Sequence, residues 1–148
     1  MDNSLHIIGG GMAGCEAAWQ AANMGIDVTL FEMRPKVKTF AHQTEKLGEM
    51  VCSNSFRSND HEQNAVGLLH WEMMLANGLI INTAYQNKLP AGGALAVDRE
   101  VFADTVTSKI NSHPNIRTSN EEITTIPTEG QWIVATGPLT SSKLAYSI

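Results

Sequence analysis

Apolar and polar positions near the start of the chain follow a strand, helix, strand pattern. A short apolar run at residues 5–8 leads into glycines, and a second apolar run covers residues 26–31. Between the two runs, alanines recur at helical spacing from about Met12 to Asn23, and Gly25 stands where a helix commonly ends. This order predicts a β-α-β unit, the building block of a parallel sheet.

The pattern downstream of Pro35, which ends the second strand, predicts further helices, strands and turns. Residues 36–59 show little periodicity and are expected to form a loop. Asp60 is expected to cap a helix that Asn77-Gly78 ends. The other expected elements are a short strand at Leu79-Ile80-Ile81, a turn at 90–93, a helix from Asp98 to His113-Pro114 with Val101, Phe102, Val106 and Ile110 on one face, strands at 116–126 and 131–136, and a helix started by Thr140 or Ser141.

Two of these elements carry specific expectations about burial. The helix that follows Asp60 is apolar on almost every side, which predicts that it is buried or covered by something else. The strand at 131–136 is continuously apolar, as in buried parallel strands. The predicted fold class is therefore α/β, a Rossmann-like dinucleotide-binding domain with a parallel sheet.

Three glycines between the first strand and the first helix have the G-x-G-x-x-G spacing of a dinucleotide site. Gly9 permits the tight turn out of the strand, Gly11 lets a pyrophosphate approach the backbone, and Gly14 allows close packing of the helix. The pyrophosphate is expected at the N-terminus of the helix, where backbone N–H groups and the helix dipole favour an anion.

The second apolar run ends in Glu32, 23 residues after Gly9. An acidic side chain about 20 residues after the first glycine accepts hydrogen bonds from the adenosine ribose hydroxyls in this kind of site. Its charge disfavours a ribose phosphate, although nearby Arg34 leaves NADP possible.

Glycines elsewhere mark two further places where backbone could meet a ligand. The strand at 131–136 runs into Ala135-Thr136-Gly137, which is expected to contact the cofactor at the carboxyl end of the sheet. Pro90-Ala91-Gly92-Gly93 fits either a plain turn or a ligand approach.

The two cysteines and five histidines do not have the spacing of a metal site, so no metal is expected. Cys15 falls in the first turn of the first helix, where the dipole could lower its pKa, but a small buried hydrophobic residue is the commoner meaning. From the residues alone, Cys52 is likewise interpreted as a structural thiol.

Composition favours a soluble cytoplasmic protein that binds no membrane. The chain has 148 residues, 43% of them hydrophobic, and contains neither a membrane-length apolar stretch nor a signal peptide. Its net charge of −5 argues against a nucleic-acid surface in these residues.

Several strings resemble the N-terminal part of the folate- and FAD-dependent tRNA (uracil-5-)-methyltransferase family, TrmFO, which is related to the glucose-inhibited division protein A flavoproteins. The strings are Gly9-Gly10-Gly11-Met12-Ala13-Gly14-Cys15-Glu16-Ala17-Ala18-Trp19-Gln20, Glu32-Met33-Arg34-Pro35, Val51-Cys52-Ser53-Asn54-Ser55-Phe56-Arg57-Ser58-Asn59, Ala65-Val66-Gly67-Leu68-Leu69, Pro90-Ala91-Gly92-Gly93-Ala94-Leu95-Ala96-Val97-Asp98-Arg99-Glu100 and Ala135-Thr136-Gly137-Pro138-Leu139-Thr140-Ser141. They follow the family's order along almost the whole chain.

The resemblance implies a flavoenzyme that takes a methylene group from 5,10-methylenetetrahydrofolate and installs it as a methyl on C5 of a T-loop uridine of tRNA. Electrons come from NAD(P)H and reduced FAD. The expected cofactor-binding residues are Gly9, Gly10, Gly11, Met12, Ala13, Gly14, Glu32, Met33, Arg34, Ala135, Thr136 and Gly137. Cys52 matches a family cysteine beside the flavin and becomes the catalytic candidate, with Arg57 able to favour its thiolate.

Family members are much longer than this chain. The expectation is therefore residues 1–148 of an incomplete, truncated FAD-binding domain, inactive alone, that self-associates through exposed sheet edges and meets tRNA only in the full-length family. Two alternatives stay open. One is a small FAD- or NAD-dependent oxidoreductase, and the other is a non-catalytic remnant or interaction module.

Overall fold

The computed structural model describes residues 4–148, which form two sheets, five α-helices and one short 3₁₀ helix at Gly137–Leu139. The strands are β1 (Ser4–Ile8), β2 (Asp27–Glu32), β3 (Ser55–Ser58), β4 (Lys88–Leu89), β5 (Ala94–Val97), β6 (Ile116–Asn120) and β7 (Trp132–Val134). The helices are α1 (Met12–Asn23), α2 (Ala65–Leu75), α3 (Leu79–Gln86), α4 (Arg99–Ser112) and α5 (Ser142–Ser147).

The predicted β-α-β unit is confirmed. β1 and β2 pair in parallel, with Ser4 opposite Asp27, and α1 connects them. Small residues let α1 pack closely on the sheet, since Ala18 and Ala22 are buried there. Gly25 follows the helix with a φ of +82°, a conformation that glycine adopts without strain.

A four-stranded parallel sheet in the order β6-β2-β1-β7 confirms the α/β fold class. The expectation that the last strand is buried is wrong, because Ile133 and Val134 are 38% and 39% exposed. β7 pairs with β1 alone and so forms the edge of the sheet. The apolar side chains of β7 are therefore only partly covered by the described chain.

A second, antiparallel sheet in the order β3-β5-β4 was not expected. The sequence predicts a loop where Ser55–Ser58 forms β3. The turn expected at residues 90–93 is confirmed. It joins β4 and β5 into a hairpin, and Ala94 N–H donates to Ala91 O within it.

The prediction of a strand at residues 79–81 is wrong, because these residues begin α3. The Glu16 carboxylate of α1 accepts hydrogen bonds from Leu79 N at 3.1 Å and from Ile80 N at 2.8 Å. A side chain from a distant helix thereby satisfies the free N–H groups of the first turn.

The helix expected to begin at Asp60 begins later, with Asn64 as its N-cap. The Asp60 carboxylate instead accepts from the N–H groups of residues 62 and 63 and closes a separate turn. Within α2 only Gly67 and His70 are buried. Most of its apolar side chains therefore lie on the surface of the described chain. The expectation that this helix is buried is wrong.

In the C-terminal half, the structure differs from the prediction mainly in where the elements begin and end. Asp98 caps α4 and His113 ends it as expected, but Val101 is exposed and does not share the buried face. The strand expected at 116–126 ends at Asn120, and Ser141 precedes α5. No helix of residues 4–148 is both long and apolar enough to cross a membrane.

Candidate functional site

A cleft of about 420 Å³ opens at the carboxyl ends of β1, β2 and β7. Doubly wound folds bind their ligands at this edge of the sheet. The cleft is lined by every predicted cofactor residue except Gly14, namely Gly9, Gly10, Gly11, Met12, Ala13, Glu32, Met33, Arg34, Ala135, Thr136 and Gly137. The fold thus brings together residues from both ends of the chain.

The glycine turn between β1 and α1 has three positions with three different requirements. Gly9 has a φ of +108°, and a Cβ there would lie 2.7 Å from the Ala135 carbonyl oxygen. A Cβ on Gly14 would overlap the Gly9 carbonyl, so only glycine lets α1 pack against the turn. A Cβ on Gly11 would meet nothing within 4 Å. The open space at Gly11 adjoins the N-terminus of α1, which suits an anionic group.

Glu32 lies at the end of β2, where it is buried and extensively hydrogen-bonded. Its Oε2 accepts from Gly10 N–H at 2.9 Å, and its Oε1 accepts from Arg34 N and Nε at 3.0 and 2.8 Å. Burial alone would raise its pKa, but the hydrogen bonds from Arg34 outweigh burial, so the pKa of Glu32 lies below its ordinary value. The carboxylate is therefore ionised at neutral pH and is fixed beside the glycine turn.

Arg34 is only 2% exposed and is paired with two carboxylates. Besides Glu32, it contacts Glu49, whose Oε2 accepts from Nη1 at 3.0 Å, and the same nitrogen donates to Thr44 O at 3.1 Å. A ribose phosphate would have to compete with both carboxylates for this guanidinium. The sequence suggested that Arg34 leaves NADP possible, and this geometry weakens that suggestion.

Glu49 and the loop around it form a wall of the cleft that the sequence did not identify. The Glu49 carboxylate accepts from Gln43 N at 2.8 Å, and from Thr44 N and Oγ1 at 3.2 and 2.8 Å. Burial would raise its pKa, but these hydrogen bonds hold the pKa of Glu49 below its ordinary value. The loop is thus organised around an ionised carboxylate.

His42 belongs to the same wall and also lines the cleft. Its Nδ1 lies 2.6 Å from the Thr39 hydroxyl oxygen. Burial, with a smaller contribution from the positive charge of Arg34, holds the pKa of His42 below its ordinary value. The imidazole is therefore predominantly neutral at pH 7.

The stretch that follows β7 forms the opposite wall. Ala135 N–H donates to Ile8 O at 2.8 Å, which extends the pairing of β7 with β1 to the rim of the cleft. Gly137 has a φ of +60°, and its carbonyl accepts from Thr140 Oγ1 at 2.8 Å. This turn holds backbone against the cleft, at the place where the sequence predicted a cofactor contact.

The two cysteines differ sharply in their surroundings. Cys15 is fully buried, and burial raises the pKa of its thiol to about 12, with a further contribution from Glu32. Cys15 is therefore the small buried hydrophobic residue that the sequence favoured, rather than a reactive thiol. Cys52 is exposed and is not among the residues that line the cleft, although its neighbour Val51 is.

Comparison with known proteins shows strong similarity along the whole chain. The family model "Glucose inhibited division protein A" matches residues 4–147. Proteins named "Methylenetetrahydrofolate--tRNA-(uracil-5-)-methyltransferase TrmFO" from Ruegeria sp. (strain TM1040) and Dinoroseobacter shibae are 68% and 67% identical to it over 148 residues. These matches cover 100% of this chain and 33% of each relative, so the chain spans about a third of their length.

The fold also has a counterpart among solved structures. GidA of Aquifex aeolicus superposes with a TM-score of 0.66 over 85% of this chain and 21% of the other, at 20% sequence identity. At that identity the likeness concerns the fold alone.

Proposed function

The chain belongs to the glucose inhibited division protein A family, and we propose that it forms the FAD-binding cleft of a methylenetetrahydrofolate-dependent tRNA (uracil-5-)-methyltransferase. The observation that carries FAD binding is the open space at Gly11, which adjoins the N-terminus of α1. The reaction is taken from the names of relatives that are 68% and 67% identical over the whole chain.

The residues of the cleft fit the ADP half of FAD. The N–H groups of Gly11, Met12 and Ala13 would hold the pyrophosphate, because no side chain fills the space beside Gly11. The ionised Glu32 would accept hydrogen bonds from ribose hydroxyls. The backbone of 135–137 would close the cleft from the side of β7.

In the proposed reaction, methylenetetrahydrofolate supplies the carbon that becomes the methyl group on C5 of uridine. When bound, FAD would pass electrons from NAD(P)H to reduce that carbon from the methylene to the methyl level. Cys52 is the nucleophile that we propose for this chemistry. Its exposure gives its thiol access to a substrate, and a thiolate is the reactive form of cysteine.

Transfer RNA is proposed as the substrate of full-length members of the family rather than as a ligand of these residues by themselves. The chain carries ten basic and fifteen acidic residues, and a phosphate-binding face requires a basic excess. We place the protein in the cytoplasm, as its composition favours. We also propose that this chain self-associates through the exposed edge at β7 and the apolar side of α2.

The test is a titration of the purified chain with FAD, followed by flavin fluorescence. Saturable binding is expected, and Gly11→Glu should abolish it because a side chain and a negative charge would enter the pyrophosphate space. Glu32→Ala should weaken binding by roughly 10- to 100-fold, the effect of losing one hydrogen bond to a charged group. Glu62→Ala, on an exposed turn away from the cleft, serves as the control. A folded chain that does not bind FAD would favour the alternative that the chain is a non-catalytic remnant.

A further inference from the structure

The imidazole of His42 is held in one orientation by Thr39. The Thr39 hydroxyl oxygen accepts from two backbone groups, Ala41 N at 3.3 Å and His42 N at 3.1 Å. The same oxygen lies 2.6 Å from Nδ1 of His42, which is hydrogen-bond distance. Thr39 thus makes three hydrogen bonds through one hydroxyl group.

The number of bonds that a hydroxyl can make determines which imidazole nitrogen carries the proton. A hydroxyl has two acceptor lone pairs and a single hydrogen to donate. Since the two backbone N–H groups occupy the lone pairs of Thr39, its hydrogen must be donated to Nδ1. Nδ1 of His42 is therefore an acceptor without a proton, and in the neutral ring the proton resides on Nε2.

The Nε2–H group borders open space. No hydrogen bond to Nε2 is present within residues 4–148, and the buried side-chain atoms that lack a partner there are Nδ1 of His6 and Nδ1 of His70. Nε2 of His42 is not one of them, so it keeps access to a partner from outside the chain. His42 lines the cleft together with Glu32 and Glu49.

We propose that His42 is a ligand-binding residue of the cleft, whose Nε2–H group donates a hydrogen bond to an oxygen of the bound dinucleotide on its adenosine side. The inference rests on the proposed function and adds a residue to it. The ionised carboxylates of Glu32 and Glu49 present only acceptors to this wall, and Arg34 is paired with both. A neutral N–H donor complements them without adding a charge. It suits a ribose hydroxyl or a phosphate oxygen.

A pair of amide variants separates the two ring nitrogens. The amide nitrogen of glutamine reaches the place of Nε2, whereas that of asparagine reaches only the place of Nδ1. We expect His42→Gln to bind FAD within about threefold of the wild type and His42→Asn to bind it about tenfold more weakly, the usual effect of one hydrogen bond. Equal affinities for His42→Asn and the wild type, in a titration where Glu32→Ala still weakens binding, would overturn the proposal.

The tautomer is tested without any ligand by long-range ¹H–¹⁵N NMR of the histidine side chains. The expected spectrum shows a protonated Nε2 and an unprotonated Nδ1 for His42 at neutral pH, with Thr39→Ser unchanged and Thr39→Val altered. A proton on Nδ1 would overturn the proposal. If the wild-type chain bound no FAD at all, the proposed function would fail and the ligand assigned to His42 with it, whereas the spectrum would still decide the tautomer.

Discussion

Glycine at the turn between β1 and α1 is required for reasons that differ from one position to the next. Gly14→Ala should destabilise the chain by about 2–3 kcal/mol, because its Cβ would overlap the Gly9 carbonyl and force the helix away from the turn. Urea denaturation followed by circular dichroism measures this free energy.

Gly93→Ala is the matched control for that substitution. A Cβ at Gly93 would meet nothing within 4 Å, and its φ lies outside the left-handed region. We expect a change within about 0.5 kcal/mol. Similar losses for the two variants would show that close packing at Gly14 is not the cause.

The buried guanidinium of Arg34 should matter far more than an exposed cation of the same charge. Arg34→Met would leave Glu32 and Glu49 without their shared partner, which should cost about 3–5 kcal/mol. Lys46→Met breaks the exposed pair with Asp104 and should leave the denaturation midpoint nearly unchanged, because water screens exposed ion pairs. Equal costs in a denaturant titration would contradict the role given to burial.

The two carboxylates paired with Arg34 also determine how stability depends on pH. The pKa values of Glu32 and Glu49 are lowered in the folded chain, so the unfolded chain takes up protons first as the pH falls. The stability that these groups contribute is present above their ordinary pKa of 4.5 and is lost as the pH falls through the lower folded values. The urea midpoint should fall less steeply in acid for Glu49→Gln than for the wild type. If the urea midpoints of Glu49→Gln and the wild type fell equally with pH, the role assigned to Glu49 would be contradicted.

At the residue scale, the sequence identified the glycine turn and Glu32 but not Glu49 or His42, which form another wall of the cleft. Gly9 and Gly11 stand in a fixed local spacing, so a motif reveals them. Glu49 lies 15 residues from Arg34 in a loop without periodicity, and only the folded loop brings the two together. Nor did the sequence show that Arg34 is buried, which is why it needs two carboxylates.

At the scale of elements, α3 depends on a cap that another helix supplies. Glu16→Ala should destabilise the chain by about 1–2 kcal/mol, because the N–H groups of Leu79 and Ile80 would lose their acceptor. Glu72→Ala removes an exposed glutamate of α2 and should leave the urea midpoint unchanged. A loss of stability in Glu72→Ala as large as in Glu16→Ala would show that the cap is not the cause.

The elements that the sequence predicted correctly have their signals close together in the chain. β1, α1 and β2 are specified by periodicity and by Gly25, and α4 by Asp98 at its start. The assignment failed at residues 79–81, where three apolar residues fit a strand or a helix equally well and Glu16 decides for the helix. β7 was correctly predicted as a strand, but its expected burial was wrong, because apolar composition cannot tell an edge strand from a central one.

At the scale of the whole molecule, the described chain leaves apolar side chains exposed on α2 and at the β7 edge of the sheet. Leu69 and Leu75 of α2 are 53% and 67% exposed, and β7 presents an unpaired edge. We expect concentration-dependent self-association in sedimentation velocity. Leu69→Lys with Leu75→Lys should reduce it, whereas Val101→Lys, at a separate exposed position on α4, should not. A wild-type chain that stays monomeric throughout would contradict this expectation.

The proposed function requires that the cleft at the ends of β1 and β2 bind the ADP half of a dinucleotide. Its most direct test is a titration of the ¹⁵N-labelled chain with ADP, followed by amide NMR. Saturable shifts of the amide signals of Gly11, Met12 and Ala13 are expected, with little change in α2. Shifts that are absent, or that fall on α2 and leave the glycine turn unaffected, would contradict it.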